Sequence, residues 1–302
     1  MISLQIFLLR LIFGLLALLP VRPMGAIGAG LGRLACRLDR RHRLIAERNL
    51  ARIYPDHERP WRQKMARESF AELGRTLFEL PTVFMRSKAA LLGRVEIVGR
   101  EHLEAALREG KGLFLAAAHH SNWELGGLLV SALDHPSSVI YREMKNPPAE
   151  RFLKERRERF GAEFHSRLDG VRWLPRALKD GRIISLMIDQ HISHGVPVPF
   201  LGHLGNTTTL PAPFVAKQQT PLVGVALVRH GADFRFTLRF WPIAAPRATG
   251  DREQDAVSLM QAINDSFAPT IHARPELWLW SHRRWLILEQ NRDMMEVVHG
   301  AP

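Results

Sequence analysis

A single cysteine, Cys36, stands among 302 residues, which excludes an internal disulfide framework and a thiolate metal cluster and fits a cytosol-facing setting. Internal repeats and low-complexity linkers are not seen, so the chain reads as a folded body rather than a repeat array. The G-x-S-x-G elbow is missing too, and with it the usual serine nucleophile. Acidic residues are in deficit: 30 Asp and Glu against 42 Lys and Arg leave a formal charge of +12. That excess attracts something acidic, whether nucleic acid, anionic lipid headgroups, a phosphorylated substrate or an acidic protein. With 46% hydrophobic residues the chain can bury one large core.

The first twenty residues narrow the choice. "LQIFLLRLIFGLLALLP", Leu4 to Pro20, is apolar almost all round, interrupted by Gln5 and Arg10. It lacks the basic start and small-residue cleavage site of a secretory signal. A comfortable crossing takes about 20 residues, so a short anchor, an in-plane helix and a helix buried in the core all stay open. The arginine-dense stretch that follows, "RLDRRHRLIAERNLARIYPDHERPWRQK", has the composition of a surface facing anionic headgroups. Nucleic acid is not expected as a partner, because no nucleic-acid-binding motif accompanies these basic residues.

From Leu31 to about Ser87 the apolar spacing is helical, with a break near Tyr54-Pro55. Strands and helices then alternate: a strand in "VEIVG", a helix from His102 to Glu109, a strand over 113–118, a helix over 123–133, a strand in "SVIYRE" and helices over 148–160 and 171–178. A strand in "IISLMID" leads into a polar loop to about Thr209, a helix near 212–218, strands in "PLVGVALVR" and "FRFTLRF", and a final helix over 252–272. Such alternation predicts an α/β domain with a mixed central sheet flanked by helices.

The stretch "LFLAAAHHSNWELGG" carries the chemistry. An apolar run ends at His119, and Ser121 or Asn122 can cap a helix whose first turn holds Glu124. On one helix, residues five apart point about 140° away from each other, so His119 and Glu124 meet only as strand, turn, helix. An imidazole and a carboxylate together are general-base machinery, with the attacking hydroxyl left to a substrate. Read blandly, the histidines are polar loop-end residues and Glu124 is a helix N-terminal charge. The run "DQHISH" puts Asp189, His191 and His194 near His203, but lacks the helical i,i+4 histidine pair of zinc hydrolases, and no metal is expected.

Five blocks in order, "RRHRLIAERNL..IYP", "HHSNWE", "YREMKNP", "IDQHISHGVPVPFLG...TTT" and "PELWLWSHRRW", resemble the bacterial lipid A late acyltransferases (lauroyl and myristoyl transferases), within the wider His-x4-Asp/Glu acyltransferase group. The resemblance implies transfer of a fatty acyl chain from an acyl-carrier-protein thioester to a hydroxyl of a lipid A precursor of the Kdo2-lipid IVA type, at the cytoplasmic face of the bacterial inner membrane. It implies His119 as base and Glu124 as its orienting carboxylate. Asn122, Arg142, Asp189 and Gln190 are expected to bind substrate. The implied partners are acyl carrier protein, anionic membrane lipid and the lipid A precursor, with no cofactor. Physically, Arg142 could stabilise a developing oxyanion, clamp a phosphate, or merely pair with Asp189. Residues 1–20 are expected as an N-terminal membrane anchor helix and 21–302 as the acyltransferase domain. Rival readings are an acyltransferase for another membrane glycolipid or aminolipid, and an inactive membrane-bound binding homologue.

Overall fold

The computed structural model of the protein describes residues 2–286. Helix α1 (Ile2–Leu18) stops before Pro20, and α2 (Val21–Leu38) leaves it at 109°. The Asp39 side chain accepts the His42 N–H and so starts α3 (Arg40–Ile53), and the break at Tyr54-Pro55 separates it from α4 (Arg59–Met85) and the short α5 (Lys88–Leu92). Helices α2 and α4 touch backbone to backbone. A Cβ added at Gly28 would lie 2.4 Å from the Gly74 carbonyl oxygen, and one at Gly74 would lie 2.0 Å from that of Gly28, so only glycine fits there.

Then come β1 (Val95–Val98), α6 (Arg100–Arg108), β2 (Leu113–Ala117), α7 (Trp123–Ala132), β3 (Ser137–Tyr141), α8 (Pro147–Glu158), β4 (Ala162–Ser166), α9 (Leu174–Lys179) and β5 (Ile183–Met187). A separate hairpin, β6 (Val196–Phe200) and β7 (His203–Thr207), precedes α10 (Ala212–Gln218), β8 (Leu222–Arg229), β9 (Phe236–Pro242), α11 (Arg252–Asp265) and α12 (Ala268–Ala273). Seven strands form one sheet in the order β1-β9-β8-β2-β5-β3-β4. Strands β8, β2, β5, β3 and β4 run parallel, and β9 with β1 runs against them, which is the mixed sheet flanked by helices that the alternation predicts.

Strand alternation divides the core. Phe114, Ala116, Ile184 and Leu186 face one cluster closed by Trp278, Trp280 and Trp285; Leu115, Ile183, Val225 and Leu227 face the other, under α6 and α7. Several elements escape the sequence reading, the short helix α5 among them. Strand β4 is a polar edge strand, "AEFHS". The hairpin hides behind Pro197 and Pro199, tolerated on β6 because a two-stranded ribbon leaves each strand an unpaired side. The final helix breaks near Ser266 because Pro269 sits in the first turn of α12 and cannot donate backward.

Helix α1 has two faces. Ile6 and Ala17 are buried, Phe13 packs between Phe84 and Phe152 with ring centroids 6.4 and 4.8 Å away, and Arg10 pairs with Glu155 of α8. The other stripe, Leu4, Phe7, Leu11, Leu15 and Leu18, is 47–74% exposed. Among the described residues no single helix is long and apolar enough to cross a membrane; the bent pair Leu4–Leu18 with Val21–Leu38 passes by length and composition only.

Candidate active site

Strands β2 and β5 are parallel neighbours at the middle of the sheet, so the residues just past their carboxyl ends meet. His119 follows the first and Asp189 the second. The Asp189 carboxylate accepts the His119 backbone N–H on Oδ2 at 2.7 Å, the imidazole Nδ1–H on Oδ1 at 2.8 Å and the Trp278 Nε1–H on Oδ2 at 2.8 Å. Burial pushes this carboxyl up, but the facing His119 imidazole, the two His119 hydrogen bonds and that of Trp278 outweigh it and hold Asp189 below the usual carboxylate range. A carboxylate at Nδ1 keeps the proton there and leaves the lone pair on Nε2, which accepts from the Gln190 side-chain N–H at 3.2 Å. Trp123 meets the imidazole edge to face, centroids 5.3 Å apart.

The expected role of Glu124 as the orienting carboxylate is therefore corrected. The turn does bring His119 and Glu124 to one cavity, but Nδ1 points across the sheet to β5 while the first turn of α7 faces α8. There Arg157 grips Glu124 with both arms, Nε at 3.0 Å and Nη2 at 2.5 Å. Burial lowers Arg157, Glu124 more than offsets it, and the guanidinium stays charged. Asn122 is corrected as well. It is fully buried, its Oδ1 accepts the Leu125 N–H to cap α7 and its Nδ2 donates to Glu79, so neither end of the amide is left for a substrate. Asp189 lies behind His119, hydrogen-bonded to it and to Trp278, while Gln190 and the exposed Arg142 line the cavity.

A buried ionic knot holds the loop from behind. Glu72 and Glu79, two helical turns apart on one face of α4, grip Arg229 of β8, with Nε 2.7 Å from Glu72 and Nη2 2.6 Å from Glu79. Glu72 also accepts from Ser121 Oγ at 3.2 Å. Ser121 has φ of 54°, an uncommon left-handed state for serine, pinned by its N–H to the Leu277 carbonyl at 2.7 Å. These residues, with Arg157 and Trp278, were not singled out as site residues. Their charges and rings look like any solvated helix face or core aromatic until the fold assembles them. Among the described residues no group of three or more His, Cys, Asp or Glu is arranged to hold a metal ion, and the His191 N–H donates to His282 Nε2 at 2.9 Å.

The cavity, about 450 Å³, is a trench over one sheet face. Its floor runs from Leu238 of β9 through Leu227, Ala117, Met187 and Tyr141 to Phe164 of β4, six neighbouring strands or about 24 Å at ~4.8 Å per spacing. Ala117, Ser185 and Met187 stay partly exposed although they lie mid-sheet. His119 stands near the middle. The β3–β4 arm carries Tyr141, Arg142, Arg157 and Arg167, whereas Val130, Val225, Leu227 and Leu238 make the β8–β9 arm apolar.

A carboxylate-oriented imidazole over a long, half-apolar trench suits acyl transfer to a substrate hydroxyl, and the protein is an acyltransferase. It belongs to the family described as "Bacterial lipid A biosynthesis acyltransferase", which matches residues 2–287. The chain is 26% identical over 270 residues to the lipid A biosynthesis acyltransferase of Haemophilus influenzae, covering 88% of this chain and 82% of that one. It is 24% identical to the lipid A biosynthesis lauroyltransferase of Escherichia coli, over 88% and 86% of the two chains. It is also 31% identical to a phosphatidylinositol mannoside acyltransferase of Mycobacterium tuberculosis, over 72% and 68%.

Proposed function

We propose that the protein moves a fatty acyl chain from an acyl-carrier-protein thioester to a hydroxyl of a lipid A precursor of the Kdo2-lipid IVA type, by direct attack in a ternary complex. The carrying observation is the His119 imidazole, fixed by Asp189 with its basic Nε2 toward the trench. The acceptor hydroxyl takes the place of the Gln190 amide. Its proton passes to Nε2 as its oxygen attacks the thioester carbonyl. Asp189 supports the imidazolium, and Arg142, at the rim, is placed to stabilise the oxyanion or to hold an acceptor phosphate. As the tetrahedral intermediate collapses, the C–S bond breaks and the thiolate leaves with the proton from His119. The thioester supplies the activation, so the step as written needs no cofactor.

A membrane setting follows from the same physics. Exposing a chain of about twelve carbons to water costs on the order of 9 kcal/mol at ~0.8 kcal/mol per methylene. The exposed stripe of α1 suits an in-plane helix in the cytoplasmic leaflet of the inner membrane, and the +12 charge suits an anionic acceptor and an acidic carrier protein. The test is mass spectrometry of lipid A from cells with and without this chain: the expected result is one acyl group missing in its absence. The 31% identity to a phosphatidylinositol mannoside acyltransferase supports a second reading, an acceptor of the phosphorylated mannolipid kind. Unchanged lipid A together with acyl transfer to such a lipid in vitro would favour it. Failure to release any thioester would favour an inactive homologue.

A further inference from the structure

Two adjacent glycines roof the apolar arm of the trench. Gly126 and Gly127 lie inside the ten-residue helix α7, and both line the cavity. Glycine is the least favourable residue after proline in a helix interior, so each needs a reason. Conformation supplies none, since neither is left-handed. Close packing supplies none either. A Cβ at Gly127 would meet nothing within 4 Å, and one at Gly126 would meet Leu227 Cβ at 3.6 Å, an ordinary contact. At Gly28 and Gly74, by contrast, a backbone oxygen already occupies the place of a side chain. At 127 the missing side chain leaves open space, and at 126 it leaves room for a methyl group beside Leu227.

We propose that Gly126 and Gly127 hold the apolar arm open for the straight acyl chain of the donor, and that the side-chain volume at 126, opposite Leu227, sets the longest chain accepted. This rests on the acyl-donor reading above. Gly126 is half-buried over the floor and Gly127 is exposed at the rim, so a methyl at 126 narrows the slot where the tail lies and one at 127 narrows its entrance.

The test uses the full-length protein in detergent, a purified lipid A precursor, and carrier-protein thioesters from octanoyl to palmitoyl. Gly126→Ala lowers the ratio of long-chain to short-chain turnover by about 10-fold or more, within the range a single methylene commands in a hydrophobic pocket. Gly127→Ala lowers it less. Both variants gain about 2–4 °C in Tm, because alanine replaces glycine within a helix. Gly30→Ala is the control: it is helical, a Cβ there meets nothing within 4 Å, and it does not line the cavity. It gains similar stability and leaves the chain-length ratio unchanged. An active Gly126→Ala with the wild-type ratio, an equal loss across all chain lengths, or a fall in Tm would each overturn the inference and leave the acyl-donor reading standing. A wild-type protein that uses no thioester of the series would overturn both.

Discussion

The Asp189 carboxylate holds the His119 imidazole through Nδ1 at 2.8 Å and the same residue's backbone N–H at 2.7 Å, across two neighbouring parallel strands and seventy residues of chain. One buried carboxylate thus fixes the ring, its tautomer and the loop that carries it.

His119→Ala and Asp189→Asn should each lower kcat by about 10²–10⁴, the contribution of a positioned general base. In Asp189→Asn the amide N–H can face Nδ1 and drive the proton to Nε2, which cannot then accept. Steady-state kinetics with unchanged circular dichroism checks this. Activity within about threefold of wild type would remove His119 from the role of base.

Glu124→Gln should lower turnover less than Asp189→Asn, because Glu124 holds Arg157 rather than the imidazole. It leaves a mostly buried guanidinium without its counter-charge, at a cost of about 1–3 kcal/mol in stability. Adding Arg157→Met should return part of that loss, and a double-mutant cycle in denaturant reads the coupling. Purely additive losses would mean that the two side chains do not act as a pair.

Acid should weaken the fold through His282. Burial holds this imidazole down to about 4, against about 6.5 in an unfolded chain. Between those values the unfolded state carries the extra proton, so stability is full above pH ~6.5 and falls as pH drops toward 4, by at most about 3 kcal/mol. Urea denaturation at several pH values should show that slope, and His282→Asn should flatten it. An identical slope in the variant would assign the loss to other groups.

The two faces of α1 should separate in experiment. Phe13→Ala removes packing against Phe84 and Phe152 and should cost about 1–3 kcal/mol in detergent-solubilised protein. Replacing Leu4, Leu11 and Leu15 together with serine should change folding stability by no more than about 0.5 kcal/mol per site, yet weaken binding to anionic vesicles in a way that low salt does not restore. If the serine variant instead unfolds, the outer stripe is covered by protein.

The strand, turn and helix around His119 were legible because an apolar run, a capping asparagine and a helical pattern are local signals. The alternation after residue 95 likewise announced a sheet with helices on both faces. β4 and the hairpin were not legible: "AEFHS" has too few apolar residues to carry a strand pattern, and the prolines of β6 read as loop. The site was half legible. His119, Gln190 and Arg142 all line the cavity, but the five-residue interval to Glu124 suggested a partnership that strand geometry gives to Asp189.

By itself the sequence determined which chemistry was available: a candidate base without a protein nucleophile, a basic chain and a lipophilic first helix. These are properties of composition and of neighbours along the chain, where pattern and propensity act. Only the tertiary structure decided who partners whom. Sheet order placed Asp189 beside His119, helix docking gave Glu124 to Arg157, and α4 drew Glu72 and Glu79 to Arg229. The reason is that a buried charge must find its counter-charge within hydrogen-bond reach, and that reach is set by the packing of whole elements rather than by spacing in the chain.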